Sequence, residues 1–256
     1  GSIQVKADAD TIYSEMDKIE KAIIFSPKYR DSIGVDGCDL VVADAVKRYP
    51  EKFIGFAYVD PRVPDYMDQL RYSIKKLGLK GLKYGPIYNG VALDDPRLLE
   101  MFAFCEKEDV PVTLHMGTTF AKNAPVELGR AIHVEPMAMR FPDLKICMAH
   151  LGHPWTGECI AVVRKQPNVF TEISALYYRP WQFYNNLIAC QEYKITDKVF
   201  FGTDYPFTTV EESINGLKQV NQFVIGTRLP VVSEEVIDSI LYSNPFEHWW
   251  HDSPLK

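Results

Sequence analysis

Three apolar runs in this chain each stop at a residue able to bind a cation or move a proton. Val112-Thr-Leu runs into His115-Met-Gly117, and Ile146-Cys-Met-Ala runs into His150-Leu-Gly152. The third, Val199-Phe-Phe-Gly-Thr, runs into Asp204-Tyr-Pro206. Two imidazoles and a carboxylate brought together can hold a divalent ion and transfer protons. Zn²⁺, Mn²⁺ and Fe²⁺ all accept these donors, and a catalytic ion keeps a position open for water. Such an ion lowers the pKa of its water and polarises a carbonyl or phenol oxygen, while a nearby carboxylate takes the proton. A single His at a strand end reads more simply as a buried imidazole bonded to a carbonyl. The three taken together point to function.

Such residues need elements that deliver them to one place. Apolar runs alternate with helical patterns along nearly the whole chain. Strands are expected at 21–26, 53–59 and 81–84, at the runs ending in His115 and His150, at 169–173, and at the run ending in Asp204. Helices are expected at 11–19, with Asp10 as its cap, and at 39–49, 66–77, 96–108, 132–140, 157–165 and 181–190. Further helices begin at Val210 and Ser233. Seven strands, each separated from the next by a helix, imply a parallel sheet covered by helices. Functional side chains recur at the ends of several strands. That favours a barrel, whose mouth collects the C-terminal strand ends, over an open sheet with one switch point. The expected fold is therefore α/β, a TIM-type (β/α)₈ barrel for which no strand 1 is found in this sequence, with residues 1–256 forming a single domain.

Composition narrows the function. Apolar residues make up 46% of the chain and the net charge is −6, which gives no electrostatic case for nucleic acid. No apolar run is long enough to span a membrane, and none reads as a signal peptide. The five cysteines (Cys38, Cys105, Cys147, Cys159 and Cys190) are scattered, which suits a reducing compartment, and a cytoplasmic location is expected. Gly-x-Ser-x-Gly is absent, as is a phosphate-binding glycine loop.

The ordered set Gly81-Leu-Lys-Tyr84, Leu114-His-Met-Gly117, Ala149-His-Leu-Gly152 and Phe201-Gly-Thr-Asp-Tyr-Pro206 resembles the amidohydrolase-related family. Asp60-Pro61-Arg62, Phe141-Pro142-Asp143 and Gln166-Pro-Asn168 are similar too, and the resemblance runs from about Thr11 to Asn244. That family includes metal-dependent hydrolases and the aminocarboxymuconate-semialdehyde and aromatic-acid decarboxylases. The resemblance implies that His115 and Asp204 are metal ligands, with zinc the first expectation. It also implies that His150 polarises substrate or water and that Asp204 accepts a proton, which makes His150 and Asp204 the catalytic pair. A His-x-His or Glu-x-His pair on strand 1 would supply the remaining ligands. Here the first His is His115, and Asp8-Ala-Asp10 is a weak substitute that reads better as the loop into a helix. Either strand 1 lies outside the chain as given, or this branch does without it.

Further candidates are substrate-binding. Lys83 can face the mouth and pair with a substrate carboxylate, or form a salt bridge inside the barrel. Tyr84 and Tyr88 can line the pocket or cover apolar surface. Trp155, Arg179 and Tyr205 follow the strand ends and are assigned to substrate. Tyr177, Tyr178 and Trp181 read as an aromatic lid or an oligomer contact, and Phe246, Trp249 and Trp250 as a clamp on the barrel bottom or a dimer patch. His133, His248 and His251 read as structural or surface residues. The first functional expectation is a metal-dependent hydrolase acting on a small carboxylated or cyclic substrate, assembled as a homodimer. A nonoxidative decarboxylase is the first alternative. A catalytically silent, ligand- or partner-binding barrel is the second.

Overall fold

Strands buried on both faces build the wall that carries the site. The computed structural model describes residues 7–249. Ile3, Trp250 and His251 lie outside the described residues, as does the side chain of His248. The strands are β1 (Ala22–Ile24), β2 (Lys28–Tyr29), β3 (Val35–Asp36), β4 (Phe53–Tyr58), β5 (Gly81–Tyr84), β6 (Val112–Leu114), β7 (Ile146–Met148), β8 (Val169–Glu172) and β9 (Val199–Phe200). Seven of them form one sheet in the order β1-β4-β5-β6-β7-β8-β9, with every neighbouring pair parallel. A helix follows each, as parallel crossovers require. This is the curled sheet of a TIM-type barrel, with β1 and β9 as its two edges among the described residues.

Register separates inside from outside. Lys83 pairs with Thr113, Thr113 with Cys147, and Cys147 with Phe170, so these four share one face. That face is internal. Ile54, Phe56, Cys147, Phe170 and Phe200 form one buried cluster, closed by Phe246 and Trp249 from the last helix. The Trp249 ring lies 5.8 Å from Phe56 and 5.9 Å from Phe200, so the C-terminal helix plugs the barrel interior. Gly81 makes room for this layer, because a Cβ there would sit 2.3 Å from the Phe56 ring. The other face packs against the helices and forms the larger core.

Buried polar anchors fix the helices to the strands. Asp39 accepts from the backbone N–H of Tyr58 at 3.0 Å and from Ser73 Oγ at 2.7 Å, joining two helices to β4. Asn168 Nδ2 donates to the carbonyls of Ala138, Phe141 and Leu144, which holds the approach to the His150-bearing strand. Each satisfied bond contributes about 1 kcal/mol, and breaking one leaves a buried group unpaired.

Two details differ from the sequence expectations. The first helix is Ala9–Glu15, and its cap is Asp8, which accepts from Thr11 N at 3.0 Å. Asp10 is drawn instead to Arg48 and Tyr49 on the neighbouring helix. The span between β1 and helix Asp39–Arg48 contains a small antiparallel hairpin, β2–β3, around the turn of helix Arg30–Ile33. Strands of two residues are too short for periodicity to register. No helix among the described residues is long and apolar enough to cross a membrane.

Candidate active site

The end of β7 turns sharply to place His150. His150 and Leu151 adopt left-handed backbone angles (φ 60° and 49°), and Asp204 does the same beyond β9 (φ 58°). Non-glycine residues avoid this region, and the strain is sustained by the bonds around them. For His150 those bonds come from Glu172 at the end of β8. Its Oε1 accepts the His150 backbone N–H at 2.9 Å and the Ser174 hydroxyl at 2.8 Å, while Oε2 accepts the Ser174 N–H at 2.6 Å. The ring is fixed in turn, with His150 Nδ1 lying 2.8 Å from Ser174 Oγ.

His115 completes the pair. Its Nδ1 lies 3.2 Å from His150 Nε2, and its Nε2 lies 3.3 Å from the Thr118 carbonyl. A carbonyl only accepts, so Nε2 of His115 carries the proton and Nδ1 accepts from His150. That tautomer matches the electrostatics. Burial, followed by the charges of His150 and Lys83, holds His115 well below the ordinary histidine range, so it is neutral. Gly117 (φ 133°) lets the following loop cross the His150 loop, where Thr118 N donates to the His153 carbonyl. A Cβ at Gly117 would sit 2.5 Å from that oxygen.

Asp204 is half-buried, close enough to His150, Glu172 and Lys83 to feel their charges. Desolvation raises its pKa and the Glu172 charge adds to the rise, while His150 and Lys83 oppose it. Lys83 projects from the inner face of β5, 5% exposed, with its ammonium 4.9 Å from the Phe25 ring. Desolvation lowers its pKa against the pull of Glu172 and Asp204. Tyr88 also belongs here, stacked on Tyr29 at 4.1 Å and edge-on to His115 at 4.8 Å. The structure thus brings together His115, His150, Asp204 and Lys83, four of the residues singled out from the sequence.

Other sequence-assigned residues fall elsewhere. Tyr84, assigned to substrate from the sequence, lies away from these four. It follows Lys83 on β5 and so faces the opposite side, fully buried in the helix-facing core with its hydroxyl lacking a partner. Tyr205, also assigned to substrate, lies elsewhere too. It packs beside Ala9 and Ile12 of the first helix, where its phenol is raised by burial and by Glu15 and Asp8. Trp155 is half-buried at the start of helix Thr156–Lys165, its N–H on the Gly152 carbonyl. Arg179 lies over the Tyr178 ring at 4.4 Å, donates to the Ala175 carbonyl at 2.6 Å, and places its charge near His153. Of the aromatic cluster, Tyr177 is core, with its hydroxyl on the Gly202 carbonyl, while Tyr178 and Trp181 are exposed.

Glu172 and Ser174 were missed by sequence reasoning. The signal was present, since Glu172 ends an apolar run as His115 and His150 do. Phe25, Tyr29 and Tyr58 were missed too, because aromatic residues beside strands usually signify packing.

The donor types at this mouth suit a divalent ion, but their number does not. Among the described residues no group of three or more His, Cys, Asp or Glu side chains is placed to hold one. His115 and His150 are turned to each other, and the further pair that the resemblance requires is missing from the described residues. These residues alone therefore do not make a complete metal site.

Comparisons with known proteins give the family and the fold. The family model described as Amidohydrolase matches residues 25–249. The 2-amino-3-carboxymuconate-6-semialdehyde decarboxylase of Dictyostelium discoideum is 28% identical over 195 residues, 65% of this chain. The match covers 54% of that protein, so the chain spans about half the length of the curated relative it matches. An uncharacterized TIM-barrel protein from Bordetella bronchiseptica superposes with a TM-score of 0.72 at 23% identity, covering 91% of this chain and 79% of that one. A 5-carboxyvanillate decarboxylase from Novosphingobium aromaticivorans, complexed with manganese and a nitrobenzoic acid, gives 0.66 at 18% identity, with 93% and 79% covered. At these identities the two structures share the fold.

Proposed function

The chain belongs to the amidohydrolase family, and from that premise we propose that it serves the nonoxidative decarboxylation of a small carboxylated substrate. The observation that carries this reading is a carboxyl group, Asp204, held protonated to higher pH than usual by burial, close to a hydrogen-bonded pair of imidazoles, His115 and His150. Loss of CO₂ leaves an electron pair on carbon, and that carbon needs a proton donor positioned before the bond breaks. In the proposed step the C–C bond to the departing carboxylate breaks and its electron pair remains on the substrate carbon. The Asp204 carboxyl delivers the proton that forms the new C–H bond, and solvent returns a proton to Asp204. His150, clamped by Glu172 and Ser174, orients the substrate by hydrogen bonding, and His115 fixes the His150 ring.

Hydrolysis, the first expectation from the sequence, has less support, because the curated relative is named a decarboxylase. A divalent ion belongs to the proposal only with donors beyond those described. Zinc is the sequence's choice, and manganese is the ion in the related solved structure. Homodimerisation and a cytoplasmic location remain part of the same proposal. The deciding assay compares CO₂ release from hydroxybenzoates and aminocarboxymuconate-type acids with hydrolysis of lactones and amides. CO₂ release that disappears in Asp204→Asn is expected. Hydrolysis without CO₂ release would overturn the reading.

A further inference from the structure

We infer that Lys83, covered by Phe25, is the subsite for a second substrate carboxylate that is retained through the reaction. Lys83 is 5% exposed, on the inner face of β5, and makes no ion pair within 4.0 Å among the described residues. A buried ammonium without a bonded counter-ion is costly and is rarely kept without a use. The nearest acids do not discharge it. Glu172 already accepts three hydrogen bonds from His150 N, Ser174 N and Ser174 Oγ. Asp204, whose charge also reaches it, does not approach the ammonium within 4.0 Å, and its own carboxyl is pushed towards the protonated form by burial. The partner recorded for the ammonium is the Phe25 ring, 4.9 Å away, which holds a cation by its π-face while leaving the three N–H donors free.

The chemistry decides which carboxylate fits. A carboxylate paired with a buried cation is stabilised as an anion, whereas departing CO₂ is neutral. Binding the leaving group there would deepen the ground state and slow the reaction. The carboxylate on Lys83 is therefore the one that stays, and the substrate class is a dicarboxylate. This inference rests on the decarboxylase reading for the fate of the other carboxylate, but its test does not depend on turnover.

The test measures Kd by calorimetry for isophthalate and benzoate on the 256-residue chain and on Lys83→Met and Phe25→Leu, with thermal melts confirming that each variant is folded. The wild type should prefer isophthalate by about tenfold or more, as a charge-assisted contact allows. Lys83→Met should bring the ratio close to one with little change for benzoate, and Phe25→Leu should lower it partly. Equal binding of the two acids by the wild type, no binding of either, or an undiminished preference in Lys83→Met would overturn the subsite. If CO₂ assays fail while the Lys83-dependent preference persists, the decarboxylase reading falls and the subsite stands.

Discussion

One oxygen of Glu172 serves His150 twice: Oε1 accepts its backbone N–H at 2.9 Å and lies 3.6 Å from its ring Nδ1. The carboxylate thereby sustains a left-handed backbone and directs the imidazole on it. Glu172→Gln replaces one acceptor with an NH₂ that faces existing donors. Destabilisation of about 1–3 kcal/mol is expected, measured by denaturant unfolding, with CO₂ release falling at least about tenfold from misplacement of His150. Ser174→Ala removes one link only and should cost less on both measures.

Asp204→Asn should separate stability from activity. Burial raises the Asp204 pKa, so the native fold favours its protonated form. Stability from that preference is full below the unfolded carboxyl pKa of about 3.9 and is lost as pH rises through the higher folded value. Above that folded value the ionised group opposes folding. The asparagine variant should therefore melt higher, by about 2–4 °C for each kcal/mol relieved, while losing CO₂ release. A lower melting temperature at pH 7 would show that Asp204 is held by interactions beyond those described.

His115 gives the opposite pH trend. Its folded pKa lies well below the unfolded value of about 6.5. Its contribution to stability is complete above that value and is lost as pH falls towards the folded pKa. Unfolding free energy should drop between about pH 7 and 5, and His115→Asn should flatten that slope. His153, lowered by burial and by Arg179, adds a slope of the same sign, so part of the trend should survive.

Metal content is a direct measurement. With fewer than three suitably placed donors among the described residues, the 256-residue chain should hold well under one equivalent of zinc or manganese. A full equivalent that disappears in His115→Ala would show that donors outside the described residues complete the site.

Tyr84→Phe tests the position of Tyr84 on β5. Its hydroxyl is buried without a partner, so deleting it should stabilise the fold by about 1 kcal/mol. Isophthalate and benzoate should bind unchanged. Weakened binding would return Tyr84 to the mouth.

Much of this protein was legible in its residues. The seven parallel strands followed from continuously apolar runs such as Phe53–Tyr58, where burial on both faces leaves one consistent pattern. His115, His150 and Asp204 were legible because a polar group that ends such a run must emerge at a strand end. Only the tertiary structure decided which groups touch. Whether Lys83 or Tyr84 faced the interior depended on register, which the four-residue sequence Gly81–Tyr84 leaves open, since a one-residue shift exchanges the faces. Tyr205 was claimed by the first helix, and Glu172 became the support of His150, through contacts between segments far apart in the chain. Local spacing carries the periods of helix and strand. The closing of β7 upon β8, which sets Glu172 beneath His150, is a long-range fact that only the folded chain contains.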